Sequence, residues 1–143
     1  MSTLRETALA ALQTALTNAT DAKDRVYRTR RLPDVQDAWP CLVILPEREE
    51  TDAGQRGQYL THRLAVRVSV YARGAIADQA ADDVCAQVHA AIMGDETVGN
   101  VAMRTGPSAT DWRFSDDDQD AVQVDMIYEI TYTTRRASLT ERP

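Results

Sequence analysis

An alternating segment followed directly by a helical one limits what this chain can fold into more than any other feature. Residues 59–72 (YLTHRLAVRVSVYA) carry apolar side chains in one phase and polar ones in the other. This period of two predicts a strand with one buried face and one solvent-facing face. The apolar members are Leu60, Leu64, Val66, Val68 and Val70.

The segment that follows has the spacing of an amphipathic helix. Residues 75–94 repeat apolar side chains every three to four positions, and Gly94 supplies a stop signal. The repeating members are Ile76, Ala80, Val84, Val88 and Ile92. The strand and the helix together predict a helix packed on a sheet.

Other periodic segments extend this module in both directions. Residues 2–20 predict a first helix, which begins with a capping box formed by Thr3 and Glu6. Residues 121–134 alternate like a second long strand. Shorter strands are predicted at 26–32, 41–45, 101–104 and 110–114.

Proline and glycine set the predicted boundaries between these strands. Pro46 is expected to close the strand 41–45, and Gly106-Pro107 to separate 101–104 from 110–114. Residues 47–58 are polar and aperiodic, which predicts a mobile loop.

The order of elements is therefore helix, three strands, helix, three strands. It predicts an α+β fold in which two helices pack on one face of a mainly antiparallel sheet. Residues 1–134 are expected to form a single domain, and residues 135–143 a polar C-terminal tail.

Charge and hydropathy exclude several classes of protein. The net charge of −6 argues against a nucleic-acid-binding module, because duplex DNA attracts basic surfaces. No apolar run is long enough to cross a bilayer, so no membrane partner is expected. The N-terminal segment carries Arg5 and Glu6 where a signal peptide is apolar, which predicts a protein made in the cytoplasm.

A zinc site is the most specific metal hypothesis that the residues allow. Cys85 and His89 are four apart on the second predicted helix, and Cys41 and His62 could complete a Cys2His2 set. The scattered positions and the lack of a CxxC or HExxH motif favour buried thiols and a hydrogen-bonded sheet histidine instead. One disulfide is possible but not required, and no metal or cofactor is predicted.

Catalytic motifs are missing as well. The chain has no GxSxG elbow and no glycine-rich phosphate loop. The adjacent acids Asp82 and Asp83 point about 100° apart on a helix, so they indicate a solvated face and not a shared-proton pair. A small hydrolase or a metal-dependent enzyme is therefore a weak alternative, and the chain is predicted not to be an enzyme.

Three blocks of this chain resemble the tail terminator, or minor tail protein U, family of long-tailed bacteriophages and prophages. They are residues 62–102, residues 110–134 with their closing YEITY, and the opening helix and strand followed by WPCLVILPERE. The resemblance implies an α/β sandwich and a structural virion protein without a cofactor. Head-tail joining proteins of the phage neck are the alternative, since they have similar sizes and folds.

What this family does supplies the expected partners. Its members form a hexameric ring on the finished tail tube, stop tube polymerisation and present a surface to the head connector, while DNA passes through without specific binding. The resemblance thus implies a homo-oligomer that contacts the tail-tube protein and the head-tail connector. It also implies assembly in the host cytoplasm and a final location in the virion tail.

A ring joins unlike patches of neighbouring subunits, so complementary charges are candidates for its interface. The first predicted strand carries a basic cluster of Arg28, Arg30 and Arg31. This cluster can equally be a DNA-facing patch or a solvated edge that charge protects from pairing. The candidate interface residues are Arg28, Arg30, Arg31, Glu47, Arg48, Glu49, Glu50, Arg56, Asp116, Asp117 and Asp118.

Overall fold

The computed structural model describes residues 2–29, 39–54, 57–114 and 120–143. In this part of the chain, a sheet with the strand order β1-β2-β3-β5-β4 carries two helices. Only β1 and β2 pair in parallel, and the other neighbours are antiparallel. The elements are α1 (Leu4–Leu16), β1 (Val26–Arg28), β2 (Cys41–Asp52), β3 (Tyr59–Arg73), α2 (Ala77–Met93), β4 (Arg104–Phe114) and β5 (Ala121–Arg135).

The main core lies between the two helices and one face of the sheet. The even-numbered residues of β3 from Leu64 to Ala72 and those of β5 from Val122 to Tyr132 are buried in it. They meet the apolar stripes of both helices in one continuous cluster. This confirms the α+β class, the mainly antiparallel sheet and the position of both helices on one face. The apolar phase of the strands and the apolar faces of the helices contribute to one shared core.

The first helix begins where the capping signal predicts and ends earlier than expected. The backbone N–H of Glu6 donates a 3.0 Å hydrogen bond to Oγ1 of Thr3, which is the N-cap. The helix ends at Leu16, and the amide of Gln13 reaches the carbonyl oxygen of Val26 at 3.1 Å. That bond fastens α1 to the first strand.

The second helix ends at Met93, as its glycine signal predicts. Gly94 has a φ of −67°, however, so it does not act through the left-handed conformation that usually favours glycine at a helix end. A Cβ atom at this position would lie 3.2 Å from the carbonyl oxygen of Ala90. This is the ordinary spacing to the preceding helical turn, and it gives no structural reason for glycine here.

The prediction that Pro46 closes the second strand was wrong. β2 continues to Asp52 through a bulge between Pro46 and Arg48, so residues 47–52 are strand and not loop. β3 begins as early as Tyr59 and supplies a hydrogen-bonding neighbour for this polar half. The side chains there pair by charge, which a search for apolar periodicity cannot detect.

The prediction of two short strands around Gly106-Pro107 was also wrong. β4 is one strand on the sheet edge, and it passes its proline with a bulge between Pro107 and Ala109. An edge strand tolerates proline because the missing N–H can face away from the ladder. The sheet therefore has five strands where six were expected, while the predicted hairpin between 110–114 and β5 is confirmed.

The first strand is short in the described part of the chain. β1 spans Val26–Arg28 and pairs with residues 42–44 of β2. The remainder of the predicted strand 26–32, beyond Thr29, lies outside the described residues.

Candidate assembly surfaces

Arg28, the first of the predicted interface residues, is bound within its own chain. Its Nη1 and Nη2 atoms lie 2.6 and 2.9 Å from the two carboxylate oxygens of Glu6. The hydrogen bond from Arg28 lowers the pKa of Glu6 below its ordinary value. This bidentate pair joins β1 to α1. The other predicted residues Arg30, Arg31, Arg56, Asp116, Asp117 and Asp118 lie outside the described residues.

Three of the four predicted residues 47–50 lie on the face of the sheet opposite the helices, here called the open face. Oε1 of Glu47 lies 3.2 Å from Nε of Arg67, and Oε2 of Glu50 lies 2.9 Å from Nη2 of Arg63. Arg48 is 77% exposed and lies 3.5 Å from Glu50, which is 51% exposed. Arg48 and Glu50 thus present both signs of charge to solvent.

Glu49 turns the other way, toward the helices. The bulge brings it opposite the buried Leu64, and only 14% of its side chain is exposed. Its carboxylate lies 2.6 Å from Nη1 of Arg5 and accepts a hydrogen bond from the hydroxyl of Tyr132. Burial and this carboxylate both raise the pKa of Tyr132. Glu49 therefore belongs to an internal network.

His62 completes this internal network, as a hydrogen-bonded sheet histidine. Nδ1 lies 3.1 Å from Oγ1 of Thr51, and Nε2 lies 2.9 Å from Oγ1 of Thr134. The ring stacks on Tyr132 with centroids 4.7 Å apart. Burial lowers the pKa of His62, although the Glu49 carboxylate at 3.7 Å acts in the opposite direction. The predicted structural role of this histidine is confirmed.

The zinc hypothesis does not survive the geometry. Cys41 and Cys85 are not joined by a disulfide, and Cys41 packs with Val43 and Tyr71 in a cluster separate from the main core. Nδ1 of His89 lies 2.9 Å from the hydroxyl of Tyr128. All four proposed ligands are within the described part of the chain, where no three histidine, cysteine or acidic side chains form a metal-binding group.

The open face buries a charged centre that the sequence did not reveal. Asp125 and Ser69 are each 1% exposed, although both fall in the polar phase of their strands. The Asp125 carboxylate accepts hydrogen bonds from Ser69 at 2.7 Å and from Gln123 at 2.8 Å. Nε of Arg113 lies 3.0 Å from its second oxygen. The alternation shows that Asp125 and Ser69 lie on the polar face of the sheet. It does not show whether that face contacts solvent or other charged side chains.

A concavity of about 740 Å³ opens beside this centre. Its charged walls already pair with one another, because Arg67 contacts Glu47 and lies 3.9 Å from Asp125. Such a surface can hydrogen-bond to another polypeptide at its rim. The lining residues are Leu45, Pro46, Glu47, Arg67, Ser69, Tyr71, Arg113 and Gln123.

The edge strand β4 exposes two aromatic side chains on the helix side of the sheet. Trp112 pairs with Val124 and Phe114 with Val122, and both valines are buried in the main core. Helix α2 packs on β3 and β5, whereas Trp112 is 52% and Phe114 66% exposed. Trp112 was expected in the core, at a sheet edge or at a subunit interface, and the sheet edge is confirmed.

The C-terminal segment lies back along the domain. The carbonyl oxygen of Leu139 accepts a 2.9 Å hydrogen bond from the backbone N–H of Leu4, at the start of α1. Nη1 of Arg136 donates to the carbonyl oxygen of Gly57 at 3.1 Å. These contacts hold the segment beside the first helix and the β2–β3 connection.

No described helix is long and apolar enough to cross a membrane. Comparison with known proteins finds a similar solved structure, but no protein family and no curated protein sequence matches the chain. Among solved structures, the fold is similar to that of a chain in the "Virion of native gene transfer agent (GTA) particle". The TM-score is 0.56 with 13% sequence identity, and the similarity covers 92% of each chain.

Proposed function

We propose that this chain is a structural virion protein, the tail terminator of a long-tailed phage or prophage. The observation that carries the proposal is the fold similarity to a chain of a gene transfer agent virion, which extends over 92% of both chains. The sequence blocks at 62–102 and 110–134 support the more specific assignment, since they resemble tail terminators.

In this proposed role, copies of the chain form a ring on the end of the tail tube. The ring is hexameric, as in the family that the chain resembles. Arg48 and Glu50 support this role, because they present opposite charges on the open face, where a neighbouring subunit can pair with them. Arg28 is a less accessible candidate because it already binds Glu6. The net charge of −6 on each copy suits a channel through which DNA passes without adhering.

The proposed role is not enzymatic and needs no cofactor. His62 is held by two threonine hydroxyls and His89 by a tyrosine hydroxyl, so both histidines have structural partners. The proposed partners are the tail-tube protein on one side of the ring and the head-tail connector on the other. Assembly takes place in the host cytoplasm, and the protein ends in the virion tail.

A gene disruption tests this function directly. The gene for the chain is interrupted by a stop codon in the phage or prophage that encodes it, and induced lysates are imaged by electron microscopy. A tail terminator is expected to leave overlong tail tubes and separate heads. Purified chain is also added to the lysate. It is expected to restore joined particles from tubes whose growth it stops at normal length.

The same images separate the alternative functions. Tails of uniform normal length beside unjoined heads would assign the chain to the head side of the joint, as a head-tail joining protein. Complete, infectious particles from the disrupted gene would contradict a structural role in the virion.

A further inference from the structure

The outer edge of β4 has two unlike halves. The first half contains Gly106, Pro107 and the bulge before Ala109, which are features that keep an exposed edge from pairing with another strand. The second half, residues 109–114, pairs residue for residue with β5 and has no proline or bulge, although it carries the charged residues Asp111 and Arg113. One half of the strand is therefore blocked, and the other is ready to accept a partner strand.

The unblocked half also carries the exposed aromatic side chains. Trp112 is 52% and Phe114 66% exposed, so each leaves on the order of 100 Å² of apolar surface in water. Both lie on the helix side of the sheet, at the end of β4. A soluble protein that leaves free backbone groups and two aromatic rings together on a sheet edge has the features of a β-strand addition site.

Strand β2, next to the other lateral edge of the sheet, has a stretch along which no described strand pairs on its outer side. β1 pairs with β2 only at residues 42–44, whereas β2 continues to Asp52. Among the described residues, no strand lies along the outer side of 48–52, the part of β2 that follows Pro46 and the bulge. This stretch displays Arg48 and Glu50 on the open face, and β4 displays Asp111 and Arg113 on the same face. Arg113 and Glu50 already pair within the chain, so the 77% exposed Arg48 on β2 and the exposed Asp111 on β4 are the opposite charges that remain for a partner strand.

We infer that residues 109–114 of β4 pair with the outer side of residues 48–52 of β2 in a second copy of this chain. Joining unlike edges is a heterologous contact, which passes from copy to copy and covers these edges in a ring when the rotation between copies allows closure. Pairing of two β4 edges would instead stop at a dimer. The inference rests on the proposed function and assigns the subunit contact of its ring.

Photo-crosslinking in assembled particles tests this contact. Trp112 is replaced by the photoreactive residue p-benzoylphenylalanine, and particles of the encoding phage are purified, irradiated and digested for mass spectrometry. Met103, which is 67% exposed and lies just before β4, receives the same replacement as a control. The expected product joins position 112 to a peptide from residues 41–52 of a second copy, and position 103 gives no such product.

The results for the contact and for the function can be told apart. Particles that contain the chain but join position 112 to another protein, to a different segment or to nothing overturn the contact and leave the virion role standing. Particles from which the unmodified chain is absent contradict the proposed function, and the contact then falls with it.

Charge placed on the edge gives a second measurement. W112K and F114K are expected to lower the amount of chain in particles about tenfold, because lysine on an edge strand opposes pairing. Y59K and M103K are the controls, since Tyr59 and Met103 match the exposed fractions of the two aromatic residues at 51% and 67%. Normal incorporation of both β4 variants would overturn the inference, provided that their urea unfolding midpoints equal that of the unmodified chain.

Discussion

The hydroxyl of Ser69 donates a 2.7 Å hydrogen bond to Oδ1 of Asp125 between β3 and β5, on the face of the sheet opposite α1 and α2. Both side chains are 1% exposed, so a carboxylate is held out of water by its own neighbours. Gln123 donates to the same oxygen, and Arg113 approaches the other one. A buried charge of this kind stabilises a fold only while its partners remain.

Replacement of Asp125 should therefore be costly. D125A leaves two donors and Arg113 without their acceptor, and it is expected to lower the free energy of unfolding by about 3 kcal/mol. Urea denaturation of the purified chain measures the change. D111A is the matched control: Asp111 is the exposed residue directly opposite Asp125 on β4. Equal and small effects of the two changes would contradict a buried centre.

The β2 bulge predicts unequal effects for two adjacent glutamates. E49A is expected to cost about 2 kcal/mol, because it removes a mostly buried carboxylate from Arg5 and Tyr132. E50A is expected to change stability little, since Glu50 pairs at the surface. Thermal or urea unfolding of both variants measures this. A larger loss for E50A would mean that the bulge does not direct Glu49 inward.

The burial of His62 predicts a loss of stability at mildly acidic pH. Because its pKa is lowered in the folded chain, the unfolded chain binds the proton more readily. Its contribution is complete above the unfolded pKa of about 6.5 and is lost as the pH falls from there toward the lower folded pKa. The expected slope is on the order of 1 kcal/mol per pH unit across that window.

Urea unfolding of the unmodified chain and of H62Q, between about pH 7.5 and pH 5.5, measures this slope around the unfolded pKa. The variant should lose the part of the slope that His62 supplies, because glutamine does not titrate. H89Q should retain it, since His62 is intact there. Identical profiles for the unmodified chain and H62Q would exclude His62 as the source.

The pair formed by Arg28 and Glu6 should couple measurably. A double-mutant cycle with R28A and E6A is expected to give about 1 kcal/mol at low salt, because the contact is bidentate but only partly shielded from water. Added salt should reduce the value. The same cycle on Arg48 and Glu50, which lie 3.5 Å apart and are more exposed, should give close to zero. Similar coupling in both pairs would show that the geometry of the contact does not matter.

Apolar periodicity is sufficient to predict most of this fold. The long strands β3 and β5 lie close to their predicted bounds, and α2 buries Val84, Val88 and Ile92 as its spacing predicts. The start of that stripe was wrong, because Ile76 is the N-cap and 61% exposed, and the buried residues of the first turns are Ala77 and Ala81 instead of Ile76 and Ala80. The errors in the strand bounds fall in segments that are made mainly of polar residues. The second half of β2 pairs by charge, and β4 passes through Gly106-Pro107 because an edge tolerates proline.

The surfaces were harder to predict than the core, because charge alone does not indicate which way a side chain points. Glu47, Glu49 and Glu50 are close together in sequence, yet Glu49 joins an internal network and the other two face the open side. Asp125 reads as a solvated strand residue until its counter-charges on other strands are known. Such contacts depend on the register between strands, which no local pattern contains.

The β2 bulge also affects how this chain must be compared with its relatives. The strand before it and the strand after it expose opposite parities of the sequence, since Pro46 pairs with Val66 but Arg48 pairs with Ala65. Deleting the single residue Glu47 would remove the bulge and leave a regular ladder in which Thr51 still pairs with His62 and Glu49 with Leu64. A protein with the same sheet but no bulge therefore aligns with this chain only across a one-residue gap at position 47, and an ungapped alignment there would equate inward-facing residues with outward-facing ones.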